Sequence, residues 1–231
     1  MKRFYKKAEP VPAAGGHGIA LDGRLVETSG KHDLILPSLA LAAAVAAEWD
    51  AQQSEIRREA MPLTRLAGAT IDRSSAQRDV VVQQVADYAG TDLVCYRATR
   101  PPALAALQEV VWQPLIDWAV ERYDAPLTVT TGVIPASQPT VSLAAFTAVV
   151  AGHDDFSLTA LYAATAACGS LVIALALLEG RLDAGEAFAA SQLDESFQIE
   201  AWGEDAEQAE RRALLAAEIA AAARFLELLR G

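Results

Sequence analysis

Between Leu158 and Leu178 the sequence reads LTALYAATAACGSLVIALALL, 21 residues without a charge. A membrane span needs about 20 apolar residues, so length alone permits one. The composition argues against it. Alanines are frequent, and Thr159, Thr165 and Ser170 add hydroxyls besides that of Tyr162. Both flanks are acidic, with Asp154 and Asp155 before the run and Glu179 after it. Basic anchors and an aromatic belt are missing from those flanks. The run therefore reads as a helix buried on all sides at the centre of a helical domain. Ser170 in CGS is read as a small residue that lets helices approach, since a buried helix offers no base or oxyanion site to a nucleophile.

A helix of that kind needs amphipathic neighbours, and the chain supplies them. After about Thr140 the pattern is helical throughout, with helices expected at 141–151, 156–179, 183–202 and 206–229 and glycines 152, 180 and 203 at their ends. The last helix repeats Leu215, Ile219, Ala222, Leu226 and Leu229 at alternating steps of four and three. Leu104, Leu107, Val111, Leu115 and Trp118 form an earlier stripe, interrupted by Pro114, which predicts a kink or two consecutive helices. Leu39, Ala42, Ala46 and Trp49 form another, after a Ser38 cap and ahead of a helix end near Gln52. Glu48 and Asp50 are expected to flank Trp49 from the solvent side.

The N-terminal third looks different. Asp22-Gly23 between Ile19/Leu21 and Leu25 is a hairpin signal of the type I′ kind. HDLILP adds a third strand, and VPAAGGHG reads as the turn that enters the hairpin. MPLTRLAGATID begins as a loop and a helix follows over 75–88. TDLVCYRA and APLTVTTGVIP have strand composition, the second ending at Gly132 and Pro135. The predicted fold class is α+β, with an N-terminal α/β domain over 1–135 that carries antiparallel hairpin strands and an all-helical C-terminal domain over 136–231.

Charge and motifs narrow the chemistry. The net charge is -11, which disfavours nucleic acid and anionic membrane surfaces as partners. Asp183 to Glu218 holds ten acids against Arg211 and Arg212, or -8 of that total. Two cysteines and three scattered histidines form no ligand spacing, so no metal and no cofactor is expected and a reducing compartment is the simplest reading. The basic start, MKRFYKK, lacks the apolar stretch of a secretory signal. No GxSxG, P-loop or GxGxxG occurs.

LDESFQIEAWGED, Leu193 to Asp205, is the densest polar motif. On a helix, adjacent Asp194 and Glu195 diverge, so they make no facing carboxylate pair of the glycosidase type. Asp194, Glu195 and Gln198 form a polar ridge beside an apolar strip of Leu193 and Phe197. Trp202 reads either as an exposed anchor or as core. Glu204 or Asp205 caps the next helix. A small hydrolase that uses Asp194 and Glu195 stays open as an alternative. Arg97 is expected in a structural ion pair with Asp92 or Asp72, and Trp49 and Phe197 in packing.

Taken in order, RFYKK (3–7), LDGRLVET (21–28), LALAAAVAAEWDAQ (39–52), MPLTRLA (61–67), YAGTDLVCYRA (88–98), GVIPASQP, CGSLVIALALLEGRL and DESFQIEAWGED resemble the ATP12 family of F1-ATPase assembly chaperones. Gln108, Trp112, Pro114, Leu115 and Trp118 fall within the same series. The resemblance implies a non-catalytic protein without cofactor that binds the unassembled alpha subunit of F1 ATP synthase and shields the surface destined for the beta subunit. It implies a client-binding surface at Asp194, Glu195, Gln198, Trp202, Glu204 and Asp205, with Glu195 foremost. With no transit peptide, the chain resembles an alphaproteobacterial member, expected to be a cytoplasmic monomer.

Overall fold

The computed structural model describes residues 1–132, 134 and 136–231; the expected break at Pro135 lies outside them. The chain forms two compact units. The first comprises Met1–Arg78, Asp154–Ala160 and Arg224–Gly231, the second Asp79–His153 and Leu161–Ala223.

In the first unit, β1 (Ala8–Ala13), β2 (Gly16–Leu21), β3 (Arg24–Leu25) and β4 (Ile35–Leu36) make one sheet. β2 pairs antiparallel with β1 along its whole length. Its other edge is shared by β3, at Ala20 and Leu21, and β4, at His17 and Gly18. The expected hairpin turn is present, with Asp22 and Gly23 both at positive φ, 48° and 83°, as a type I′ turn requires. Gly16 is needed for a different reason: a Cβ there would run into the Leu36 carbonyl. β1 was not expected, since VPAA reads as part of a turn, and it carries Pro10 and Pro12. It tolerates them as an edge strand, where one side makes no ladder.

Helix α1 (Leu39–Asp50) is capped as expected, with Ser38 Oγ accepting from Leu41 N at 3.1 Å. Its stripe is shifted from the expected one. Leu41, Ala42, Val45 and Ala46 are buried, while Leu39 is 56% exposed. Glu48 is not a solvent-side flank. Its carboxylate accepts from Leu63 N and Thr64 N, both at 2.8 Å, and from Thr64 Oγ1 at 2.7 Å. It thereby caps α2 (Pro62–Ala69), which forms where a loop was expected. Pro62 suits the first helical turn, but the cap comes from a distant helix and leaves no local signature. A π turn over Thr70–Ser74 follows.

Helix α3 (Arg78–Ala86), in the second unit from Asp79 on, leads through short 3-10 turns to β5 (Tyr96–Arg97), which pairs in parallel with β6 (Thr130–Thr131). The central helix α4 (Pro102–Tyr123) runs unbroken through Pro114. Trp112 is buried on it, donating from Nε1 to Ala190 O at 2.8 Å. α5 (Thr140–Ala151) matches expectation.

The uncharged run is not one helix. α6 (Asp155–Cys168) ends at Gly169, whose φ is +65°, and α7 (Leu171–Leu178) begins after Ser170. Ser170 is the cap of α7, accepting from Ile173 N at 3.0 Å. Every residue of α7 is buried, as the all-round apolar pattern demanded. Among the described residues no helix is long and apolar enough to cross a membrane. The expected 183–202 helix likewise divides into α8 (Ala184–Ser191) and α9 (Leu193–Trp202) around Gln192. α10 (Ala206–Arg230) is the last helix.

Asp92 lies wholly buried beside the start of α7, accepting from Val172 N at 3.0 Å and Val94 N at 3.2 Å. Burial pushes its carboxyl up to about 6, against those hydrogen bonds, which pull it down. Arg97 therefore does not pair with Asp92, nor with Asp72. Its guanidinium faces Glu109 at 3.6 Å, donates to Val94 O, and lies 5.4 Å from the Trp112 ring centroid. Cys95 and Cys168 are buried thiols, each pushed up to about 12 by desolvation.

Candidate functional site

α9 carries the polar motif, and its residues have different fates. Leu193 is buried; Asp194, Glu195 and Phe197 are half-buried; Gln198 and Glu200 are exposed. Asp194 does not share a solvated ridge with Gln198. Its Oδ1 accepts from Gln108 Nε2 at 2.7 Å. Gln108, 1% exposed, accepts in turn from Ala98 N at 2.7 Å. A buried amide needs such partners, so Asp194 anchors α9 to α4.

Glu204 is also engaged, 3.2 Å from Arg212. Arg212 further donates to Ser196 Oγ at 3.1 Å and sits 5.2 Å from the Phe188 ring centroid. Asp205 caps α10, accepting from Gln208 N at 2.8 Å. Of the acids singled out in the sequence, Glu195 makes no hydrogen bond or ion pair among the described residues. Glu200, which the sequence reading passed over, makes none either. Trp202 resolves to the exposed alternative, at 81%, and Gly203 ends the helix at φ +84°.

Phe197 is not plain core. It lines an apolar groove of about 400 Å³ with Leu107, Val111, Leu115, Leu182 and Leu193. Glu186 and Glu200 stand at its edge. Glu186 belongs to a capping box with Asp183, whereas Glu200 has no partner among the described residues. Leu107 and Val111 read as helix core from their spacing. Leu107 is instead 41% exposed, and neighbouring Val110 72%. The available signal was an apolar surface on α4 wider than one stripe can bury. Neither Asp194 nor Glu195 lines the groove, and no cluster of three metal-ligating side chains occurs among the described residues.

Trp49 sits half-buried on α1 with its ring 5.9 Å from that of Tyr5, whose hydroxyl donates to Trp49 O at 2.6 Å. Packing accounts for most of its surface, although its Nε1 is buried without an acceptor among the described residues.

Comparison with known proteins assigns this architecture. Residues 2–120 match the ATP12 chaperone protein family. The structure of Atp12 from Paracoccus denitrificans superposes with a TM-score of 0.94 at 44% identity, over 99% of this chain and 98% of that one. A lysine mutant of the Paracoccus protein gives the same values. A chaperone candidate from Agrobacterium tumefaciens, also with a TM-score of 0.94, is 38% identical over 99% of this chain and 86% of its own. The mitochondrial atp12 protein of Schizosaccharomyces pombe is 25% identical across 221 residues, covering 90% of this chain and 76% of that protein. The hydrolase alternative falls with these matches, since the family is one of non-catalytic chaperones. The chain belongs to the ATP12 chaperone family.

Proposed function

We propose that this protein binds the unassembled alpha subunit of F1 ATP synthase in the bacterial cytoplasm, as a monomer, and covers its beta-facing surface until the hexamer forms. The observation that carries this reading is the groove beside α9. It joins an apolar floor to Glu200, a carboxylate without a partner among the described residues, and the same helix carries the likewise unpartnered Glu195 and the 81% exposed Trp202. Aromatic anchors within a polar rim are the usual makeup of a protein-binding patch. Acids at the rim speed encounter with a basic surface and reject acidic competitors. Gln198 belongs to the exposed rim. Asp194, Glu204 and Asp205 hold α9 and α10 in position for it.

The chaperone is released when the larger beta-subunit interface competes for the same client surface. Co-purification with tagged alpha and beta subunits, each alone, tests the reading. Alpha-selective, nucleotide-independent capture is expected, and capture of neither subunit overturns it.

A further inference from the structure

The first unit contains a pocket of about 380 Å³ that the α9 groove does not involve. Val26, Leu34, Trp49, Ile56, Met61 and Ala69 form its apolar wall. Three of the stretches that carry the family resemblance, LDGRLVET, EWDAQ and MPLTRLA, thus meet at one cavity. Its size falls at the lower end of the range for ligand pockets, about 300–1,000 Å³.

The polar groups at its edge fall into two kinds. The acids are engaged. Asp72 accepts from Thr28 Oγ1 at 2.5 Å, Gly30 N at 2.8 Å and His32 Nδ1 at 3.0 Å. Glu27 faces Lys31 at 3.7 Å. Thr64 is held by Glu48. The cation Arg58 is not engaged in this way: among the described residues its guanidinium meets only Ser29 Oγ, at 3.5 Å. Trp49 Nε1, also without an acceptor among the described residues, is fully buried and is not open to an occupant. At this edge Arg58 is therefore an exposed cation with no carboxylate partner among the described residues. One guanidinium is too little to define a metabolite, but enough to attract an acidic group beside an apolar one.

We propose that this pocket seats a bulky apolar side chain of a client polypeptide, with an acidic side chain of the same extended segment on Arg58. The inference rests on the client being a polypeptide, as the reading above has it, and adds a second contact remote in sequence from α9. The groove with Glu200 at its edge and the pocket with Arg58 at its edge would then select client segments of opposite charge.

Gly68 allows a clean test. It lies in α2 and lines the pocket, and a Cβ there would meet nothing within 4 Å. Gly68→Leu fills space while improving helix propensity. The probe is a short labelled peptide containing Leu-Phe-Asp, titrated into the full-length protein by anisotropy and tryptophan emission. Wild type should bind it in preference to Ala-Ala-Asp and Leu-Phe-Lys versions. Gly68→Leu should weaken binding by about tenfold or more at an unchanged or raised Tm. Arg58→Glu, at an exposed position, should reverse the preference between the Asp and Lys peptides.

Failure of wild type to bind, undiminished binding by folded Gly68→Leu, or unchanged preference in Arg58→Glu overturns the proposal. So does binding of decanoate with none of the peptide, which would make the occupant an amphiphile. Alpha-subunit capture is measured on the same variants. Its absence in wild type alongside peptide binding sinks the alpha-subunit reading and spares the pocket. Capture by Gly68→Leu at wild-type strength removes the pocket from client binding.

Discussion

Asp72 in the first unit and Asp92 in the second do similar work, each tying a loop with hydrogen bonds, yet their carboxyls shift in opposite directions. The Thr28 hydroxyl, foremost, then His32 and Gly30 N hold Asp72 below the ordinary carboxylate value. Asp92 also accepts from backbone N–H groups, but complete burial overrides them and raises it to about 6. Water access decides between them. The same contrast runs through the two units. The first keeps a pocket with polar groups at a solvated edge. The second buries α7 on all sides and carries Glu195 and Glu200 on α9 without partners among the described residues.

The hardest blow to that contrast is Trp112→Ala in the second unit. Trp112 is 1% exposed and hydrogen-bonded, so its loss should cost about 3–5 kcal/mol. Trp49→Ala removes a half-buried ring whose Nε1 has no acceptor, and should cost less. Paired denaturant titrations check the order, and equal losses would break the comparison. Trp49→Arg should be lost to misfolding, so a variant with wild-type Tm but no client capture would count against a packing role.

The Asp92 environment is tested by pH. Because its folded value, about 6, exceeds the ordinary 3.8, the folded state holds the extra proton between those values. Stability from this group falls as pH rises through that window, by on the order of 3 kcal/mol. Asp92→Asn should erase that component of the Tm profile between about pH 4 and 6. Asp72, held low, contributes stability above its ordinary value and loses it as pH falls below about 4, so Asp72→Asn should act in the lower window. A variant that altered the other's window would undo the assignment.

Glu48→Ala removes the cap of α2 and should cost about 1–2 kcal/mol, read as a lower Tm. The smallest effect on stability belongs to Glu195→Gln and Glu200→Gln. Neither carboxylate has a partner among the described residues, so Tm should stay within about 0.5 kcal/mol equivalents while alpha-subunit capture weakens. Unchanged capture in both would remove the acids from the client surface.

Local chemistry was legible from residues close in sequence. Ser38, Asp22-Gly23, Asp205 and the glycines at 152, 180 and 203 mark helix ends and a turn because their bonds reach only a few residues. The all-round burial of Leu171–Leu178 followed from its lack of charge. Tertiary structure decided what depends on distant partners. Glu48 starts α2 across a loop, and Gln108 holds Asp194 from 86 residues away. Gly169 split a run that periodicity reads as continuous, since an apolar segment shows no stripe to reveal a break. Trp202 came to lie in solvent and Leu107 in a groove, although spacing marked Leu107 as core. The first-unit pocket needs Val26, Trp49 and Met61 in one place, and no short-range pattern records that convergence. The sequence by itself determined the hairpin turn, most helix ends and the family resemblance; the folded chain decided where long helices divide and which polar groups were left without partners, because only packing determines which donors and acceptors meet.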